Sequence, residues 1–325
     1  MRFNPHALLL SAFLALAGAQ TAVPDWISTA QAAEDVPFLL TASAKGDLAT
    51  VRAMLESGVN PNIRDGEGVT ALMYAARKDK AEIVRLLLEK GADINAADNG
   101  GWTALMLAAK KNFFVTAKVL LDKGADAKIR DESGWSALGL AATSGNTEVV
   151  DLLLTYGMNA SAKSDDGKSI LMHAAVSGSL ATIKTLLDHG ADTAAKDRFG
   201  QTALMYAARG GQAEITALIV DKGANVNDKD LSKWSALTWA VKKSQLNTAS
   251  LLIAKGADVN LIDSEGTPVM HFAVDNGSVE MVKLLLENGA KVKARDQYGL
   301  TALVYALKKK NPAIIQLIKD AGGSY

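Results

Sequence analysis

The chain contains no cysteine. That excludes disulfides, thiolate metal sites, thiol catalysis and a lipid-bearing N-terminal cysteine. Histidine is scarce as well, with four residues, and none stands beside a carboxylate or another histidine at metal-ligand spacing. No nucleophile, base and orienting group suggest themselves, so the chain reads as a non-enzyme that needs neither metal nor cofactor. Aromatic residues make up only 6% of the sequence. There is no surplus charge of either sign, with 35 Lys and Arg against 35 Asp and Glu, so net charge gives no general attraction to nucleic acid or membrane. Beyond the extreme N-terminus, no charge-free apolar run is long enough to cross a bilayer. What is present is 49% hydrophobic residues, mainly Ala, Leu, Val and Ile, with 22% charged ones. That is the composition of a well-buried, ordered protein.

The N-terminus differs from the rest. MRFNPH is followed by the apolar stretch Ala7–Ala17, then by small-x-small sequences at Ala17-Gly18-Ala19 and Ala30-Gln31-Ala32. This layout is that of a secretory signal peptide, with cleavage expected after Ala19 or after Ala32. The competing reading is an uncleaved membrane anchor. Residues 1–33 are therefore set apart as signal peptide and short linker, and an exported chain without cysteine suits a bacterial periplasm.

From there the sequence repeats every 33 residues. Gly58, Gly91, Gly124, Gly157, Gly190, Gly223, Gly256, Gly289 and Gly322 form one comb, and Ala42 to Ala306 form another in the same phase. Thr70, Thr103, Ser136, Ser169, Thr202, Ser235 and Thr301 form a third, interrupted by Pro268. Thr or Ser just before an apolar run is a helix N-cap, and proline is also tolerated at a helix start. The first helix carries paired alanines, such as Ala75-Ala76, that allow close approach. A Leu-rich second helix, as in Ala81–Gly91, ends at the comb glycine, expected in the left-handed conformation. Asp-x-x-Gly then marks a tight turn, as in Asp65–Gly68 and Asp98–Gly101. One such unit has no room for a core and is stable only by stacking on its neighbours.

GVTALMYAAR, VRLLLEKGADIN and TPVMHFA closely follow Asp-x-x-Gly-x-Thr-Pro-Leu-His-x-Ala-Ala and the Leu-Leu-Leu helix of the ankyrin repeat, and the chain resembles that family over about residues 35–325. The resemblance implies an all-α solenoid of about nine stacked helix-loop-helix units with short β-turn fingers. Residues 34–325 form this domain: an N-terminal capping unit at about 35–64, units starting near 65, 98, 131, 164, 197, 230 and 263, and a C-terminal capping unit at 296–325. Some positions depart from the pattern. The family's histidine survives only as His271, with Met73, Met106, Met172 and Met205 elsewhere, where thioether packing is expected to replace inter-repeat hydrogen bonds. Ser164 replaces one turn Asp and Lys233 one turn Gly.

Two tempting motifs dissolve into this register. Gly167-Lys168-Ser169 looks like the end of a phosphate-binding loop, but Ala162 stands where that loop needs glycine, and Asp165 and Asp166 repel phosphate. His173 falls in a mostly apolar column, His189 precedes a helix-ending glycine, and His6 lies in the signal peptide.

Partner contacts in such solenoids are expected from turn tips and the exposed part of the first helix. Across the residue before the turn Asp, the residue before the N-cap and the two at the end of the first helix, there are 16 basic residues and one acidic residue, Asp275, in 32 positions. Residues within the turns, Arg198 against Glu67, Glu132, Asp165, Asp166 and Glu265, soften that bias. Trp102, Trp135 and Trp234 stand before N-caps, where burial is not obligatory. Aromatics among basic side chains are what binding hot spots favour. The candidate partner-binding residues are therefore Trp102, Trp135, Trp234, Arg77, Lys110, Lys111, Arg130, Lys163, Lys168, Arg209, Lys242 and Lys243. The expected function is a monomeric protein-interaction scaffold that binds an acidic protein or peptide on its concave face, with no nucleic-acid partner and no stable membrane insertion. The alternative is an exported binder of glycan or another polyanion, with the tryptophans as stacking platforms.

Overall fold

A computed structural model describes residues 38–324. The expected signal peptide, with Trp26 and His6, lies outside these residues. Each unit contributes a short first helix, such as Ala71–Ala76 or Ala104–Lys110, and a nine-residue second helix, such as Ala81–Glu89 or Phe114–Asp122. The pattern continues to Ala302–Lys309 and Pro312–Asp320. Among the described residues there is no extended strand, only isolated antiparallel bridges such as Arg64 to Thr70 and Ala97 to Thr103, which close the fingers.

The local chemistry follows the combs. Hydroxyl oxygens of Thr70, Thr103, Ser136, Ser169, Thr202 and Ser235 each accept a backbone N–H from the first helical turn. Thr301 departs from the expected cap: its Oγ1 donates to the Ser324 carbonyl at 2.8 Å and so ties down the C-terminal end. At Thr70 and Ser169 the methionine three residues on adds a reciprocal contact, its sulfur accepting the capping residue's own N–H at 3.5 and 3.3 Å. Thioethers thus complete a cap as well as pack. The remaining family histidine makes the inter-repeat bond the resemblance implies, with Nε2 of His271 at 3.0 Å from the Leu300 carbonyl.

Packing is a continuous slab of one-sided helices. The alanine pairs of the first helices are fully buried, as are Ile83, Leu87, Leu120, Leu153 and their equivalents on the second helices. Successive first helices touch more extensively than successive second helices although they are shorter. Alanine faces explain this, since helix separation follows side-chain size at the contact. The terminal unit closes the stack with Lys308, Lys309, Lys310, Gln316 and Lys319 exposed.

The turn aspartates shape the fingers. Oδ1 of Asp131 accepts the N–H groups of Ser133 and Trp135 at 3.0 and 2.8 Å, and Asp197, Asp230, Asp263 and Asp296 repeat the same pair of bonds. Neighbouring fingers are stapled by backbone bonds, for example Glu132 N–H to the Gly100 carbonyl at 3.1 Å. Asn62, Asn95, Asn227 and Asn260 stitch the other loop row, each accepting a backbone N–H of the next unit. Lys233, standing where the pattern has glycine, takes a left-handed φ of 60°.

Two glycines separate backbone conformation from contact. Gly124 has φ +90° with nothing within 4 Å of an added Cβ, whereas at Gly101, with φ +80°, a Cβ would lie 2.9 Å from the Asp131 Cα. Gly124→Ala should therefore cost only the conformational penalty, about 1 kcal/mol. Gly101→Ala must also push two fingers apart and should cost roughly twice that or more. The two urea unfolding midpoints, compared with that of the unmodified chain, check the order.

Candidate partner-binding face

Nine residues after the turn Asp, each first helix presents one side chain between the fingers and the solvent: Tyr74, Leu107, Leu140, His173, Tyr206, Trp239, Phe272 and Tyr305. The position is mostly half-buried, and its polar atoms turn back to the finger. Tyr74 Oη donates to Asp65 Oδ2 at 2.9 Å, Tyr206 to Asp197 at 2.7 Å, Trp239 Nε1 to Asp230 at 3.0 Å and Tyr305 to Asp296 at 2.6 Å. These bonds stabilise the protonated phenols. The hydrogen bond to Asp296 is the main reason the Tyr305 hydroxyl is pushed up to about 12. For Tyr206, burial contributes most and the Asp197 bond next, and its pKa is raised further still.

Cations lie over these rings. Arg77 is 4.6 Å from the Tyr74 centroid, Lys168 5.9 Å from Tyr206, Arg209 5.4 Å from Trp239, Lys242 5.1 Å from Phe272 and Lys308 5.6 Å from Tyr305. Lys110 has no ring at position 107 or 140 and lies over Trp102 at 4.8 Å. Cation–π contact holds each charge over the face without neutralising it. Among the described residues, no carboxylate is within ion-pair distance of Arg77, Lys110, Lys111, Arg209, Lys243 or Lys308. Elsewhere, at the second helices, lysines do pair: Lys222 with Asp188 at 2.7 Å and Lys255 with Asp221 at 2.5 Å.

The sequence-derived candidates therefore divide. Arg77, Lys110, Lys168, Arg209 and Lys242 stand over rings, with Lys111 and Lys243 exposed beside them at helix ends. Lys168 also pairs with Asp166 at 3.0 Å, and Lys242 lies 3.9 Å from Asp275. Arg130 and Lys163 instead join fingers. Arg130 Nη2 donates to the Lys163 carbonyl at 2.9 Å and its Nη1 meets Asp165 at 2.8 Å, while Lys163 Nζ donates to the Lys196 carbonyl at 2.9 Å.

The tryptophans divide too. Trp234 is fixed among Trp239 at 4.7 Å and Phe272 at 5.1 Å, with its Nε1 donating to Asp263 at 3.2 Å. Trp102 and Trp135 both line one groove of about 320 Å³ together with Lys110, Asp131, Ser133, Leu140, Thr143 and Ser144. Gly139 makes this possible. It replaces the methionine of neighbouring units, and a Cβ there would come 2.9 Å from Cε3 of Trp135, so the ring occupies that space. Trp135 also meets His173, with ring centroids 4.4 Å apart.

His173 takes part in a cluster with Ser164 and Asp166. Ser164 Oγ lies 2.9 Å from His173 Nε2 and 2.5 Å from Asp166 Oδ1. Here the carboxylate holds the serine and not the far imidazole nitrogen, and Trp135 covers the ring, so the group is a turn lock in place of the missing Asp. Burial lowers the His173 pKa from 6.5 to about 4, against the pull of Asp166. Burial also works to raise Asp166, but hydrogen bonds from Ser164 and Lys168 outweigh it and keep that carboxyl well below the usual range. Among the described residues, no set of three or more His, Asp or Glu is arranged to hold a metal ion, and no helix is long and apolar enough to cross a membrane.

A family model for "Ankyrin repeats (3 copies)" matches residues 39–131, 116–197, 192–263 and 255–324. Among solved structures, the human ASB11 ankyrin repeat domain is similar with a TM-score of 0.63 at 23% identity, covering 69% of this chain and 100% of that one. At this identity the likeness concerns the fold. No curated protein matches the chain by sequence comparison.

A buried histidine that stays neutral favours folding fully above its unfolded pKa near 6.5, and that contribution is lost as pH falls through about 4. The urea midpoint of the chain should drop over this window. His173→Phe, which keeps a ring against Trp135, should flatten the drop, and an unchanged pH profile would contradict a buried neutral His173.

Proposed function

This chain belongs to the ankyrin repeat family, whose repeats mediate protein–protein interaction, and from that premise we propose that it is a non-enzymatic scaffold for an acidic protein or peptide segment bound along its concave face. The observation that carries the reading is the row of cations held over rings, of which Arg77, Lys110, Arg209 and Lys308 have no carboxylate partner among the described residues. A partner that brings carboxylates to Arg77, Lys110, Arg209 and Lys308 supplies the missing counter-charges, and the rings beneath add apolar contact. The closer approach of the alanine-lined first helices supports a stack that curves toward this face. Trp102 and Trp135 are the anchors, being the tryptophans that line an open groove. Trp234 acts as a wall, since its ring is held against Trp239 and Phe272 and its Nε1 is already engaged. The same engagement weighs against glycan stacking on a ladder of free platforms.

The N-terminal segment supports a role after export, in a bacterial periplasm. N-terminal sequencing of the mature protein should begin at Gln20 or Ala33, and an intact Met1 would favour the anchor reading.

A glutamate-rich peptide titrated against the full chain, followed by tryptophan fluorescence, should lose roughly tenfold in affinity between about 0.05 and 0.5 M salt. Lys110→Gln with Arg209→Gln should reduce that salt dependence. Trp102→Ala with Trp135→Ala should remove about 2 kcal/mol or more of binding while leaving far-ultraviolet circular dichroism unchanged. Affinity indifferent to salt sinks the electrostatic reading.

A further inference from the structure

Every turn aspartate uses Oδ1 to shape its own finger, and in most units a donor-bearing ring takes up Oδ2. Tyr74, Tyr206, Trp239 and Tyr305 do so from nine residues downstream. Where the ring is Phe272, which has no donor, Trp234 Nε1 reaches Asp263 Oδ2 from the preceding unit. Two consecutive units break the pattern. Leucine stands at positions 107 and 140, and Oδ2 of Asp98 and of Asp131 meets no donor among the described residues.

Asp131 is the more consequential of the two. It is only 8% exposed, and its Oδ2, with no protein donor, is served only by the solvent that enters the groove. Asp131 lines the groove together with Trp102, Trp135 and Leu140. We propose that this groove receives a tyrosine side chain of the bound partner, its ring between the two indoles on Leu140 and its hydroxyl donating to Asp131 Oδ2. The proposal rests on the partner-face reading above and names the residue that face selects.

Three observations favour a phenol. The molecule solves the same problem internally with neutral ring donors, three of them tyrosines. A phenylalanine would fill the volume but leave the carboxylate unpaired. An arginine or lysine would bring a second positive charge beside Lys110, which already lies 4.8 Å from the Trp102 ring. The surrounding charge agrees. Of the two helix ends that line the groove, Thr143-Ser144 is uncharged and Lys110 is basic, and Arg77, Arg209 and Lys242 follow on the units to either side. The matching partner segment is a tyrosine flanked by acidic residues.

The test is titration of the full-length chain with p-cresol, the tyrosine side chain as a free molecule, followed through the indole N–H resonances of Trp102 and Trp135. p-Cresol should shift both and bind about tenfold more tightly than p-methylanisole, which has the same ring without a donor. Leu140→Tyr, which restores the repeat pattern, should abolish the p-cresol shifts and raise the unfolding midpoint. Asp131→Asn, which keeps the turn bonds through its carbonyl oxygen, should erase the preference for p-cresol even if Leu140→Tyr fails to fold. Equal binding of the two compounds, shifts with methylguanidinium but not with p-cresol, or p-cresol binding undiminished in Leu140→Tyr would overturn the proposal. If p-cresol fails while the glutamate-rich peptide still binds in a salt-dependent way, the tyrosine receptor falls and the basic face stands. If the peptide also fails, both fall.

Discussion

The turn aspartate is the constraint on which this structure depends. A finger is a run of backbone projecting from the stack, with too few residues to satisfy its own N–H groups. One carboxylate oxygen accepting two of them, as Asp131 does from Ser133 and Trp135, sets the finger's shape and the direction in which the chain enters the first helix. The N-cap Ser136, one residue beyond the second of these donors, then starts the helix in a fixed register. Because most fingers are also bonded to the next, an error in one would tilt the first helices of both.

The second oxygen of the same carboxylate links shape to surface. Bonding it to a ring on the first helix holds that ring edge-on to the finger and leaves its face available to a cation from the same or the preceding unit. The ladder of rings and charges is therefore a by-product of satisfying a buried carboxylate, repeated every 33 residues. It also bears on why Arg77, Arg209 and Lys308 stay unpaired: the turn aspartates of their rings are already committed to backbone and ring donors.

The period, the caps, the helix-ending glycines and the all-helical stack were legible in the sequence because each is a property of one unit read against itself. Less legible were properties that depend on the neighbour. Arg130 and Lys163 occupy a register that looks free, yet their donors reach carbonyl groups 33 residues away. Trp234 shares its register with Trp102 and Trp135, but only Trp234 has a second tryptophan and a phenylalanine to lock it. The ring column itself was hidden because Tyr, Trp, His, Phe and Leu look like one apolar class until the carboxylate nine residues upstream is brought into view. The signal that would have exposed it is the pairing of Asp with Tyr or Trp at that spacing.

Repetition gives departures their meaning. In a protein with a single core, a leucine at a half-buried position is unremarkable packing. Here six other units show what the position does when its polar duty is met, whether by a tyrosine, an indole or the Ser164–His173 pair. Leu107 and Leu140 forgo that contribution in adjacent units, beside two tryptophans and over a glycine that lets one ring lie down. Loss of a stabilising bond at scattered sites would be drift. Loss at two neighbouring sites that together open a groove onto a buried, half-satisfied carboxylate is the arrangement expected where stability has been exchanged for recognition.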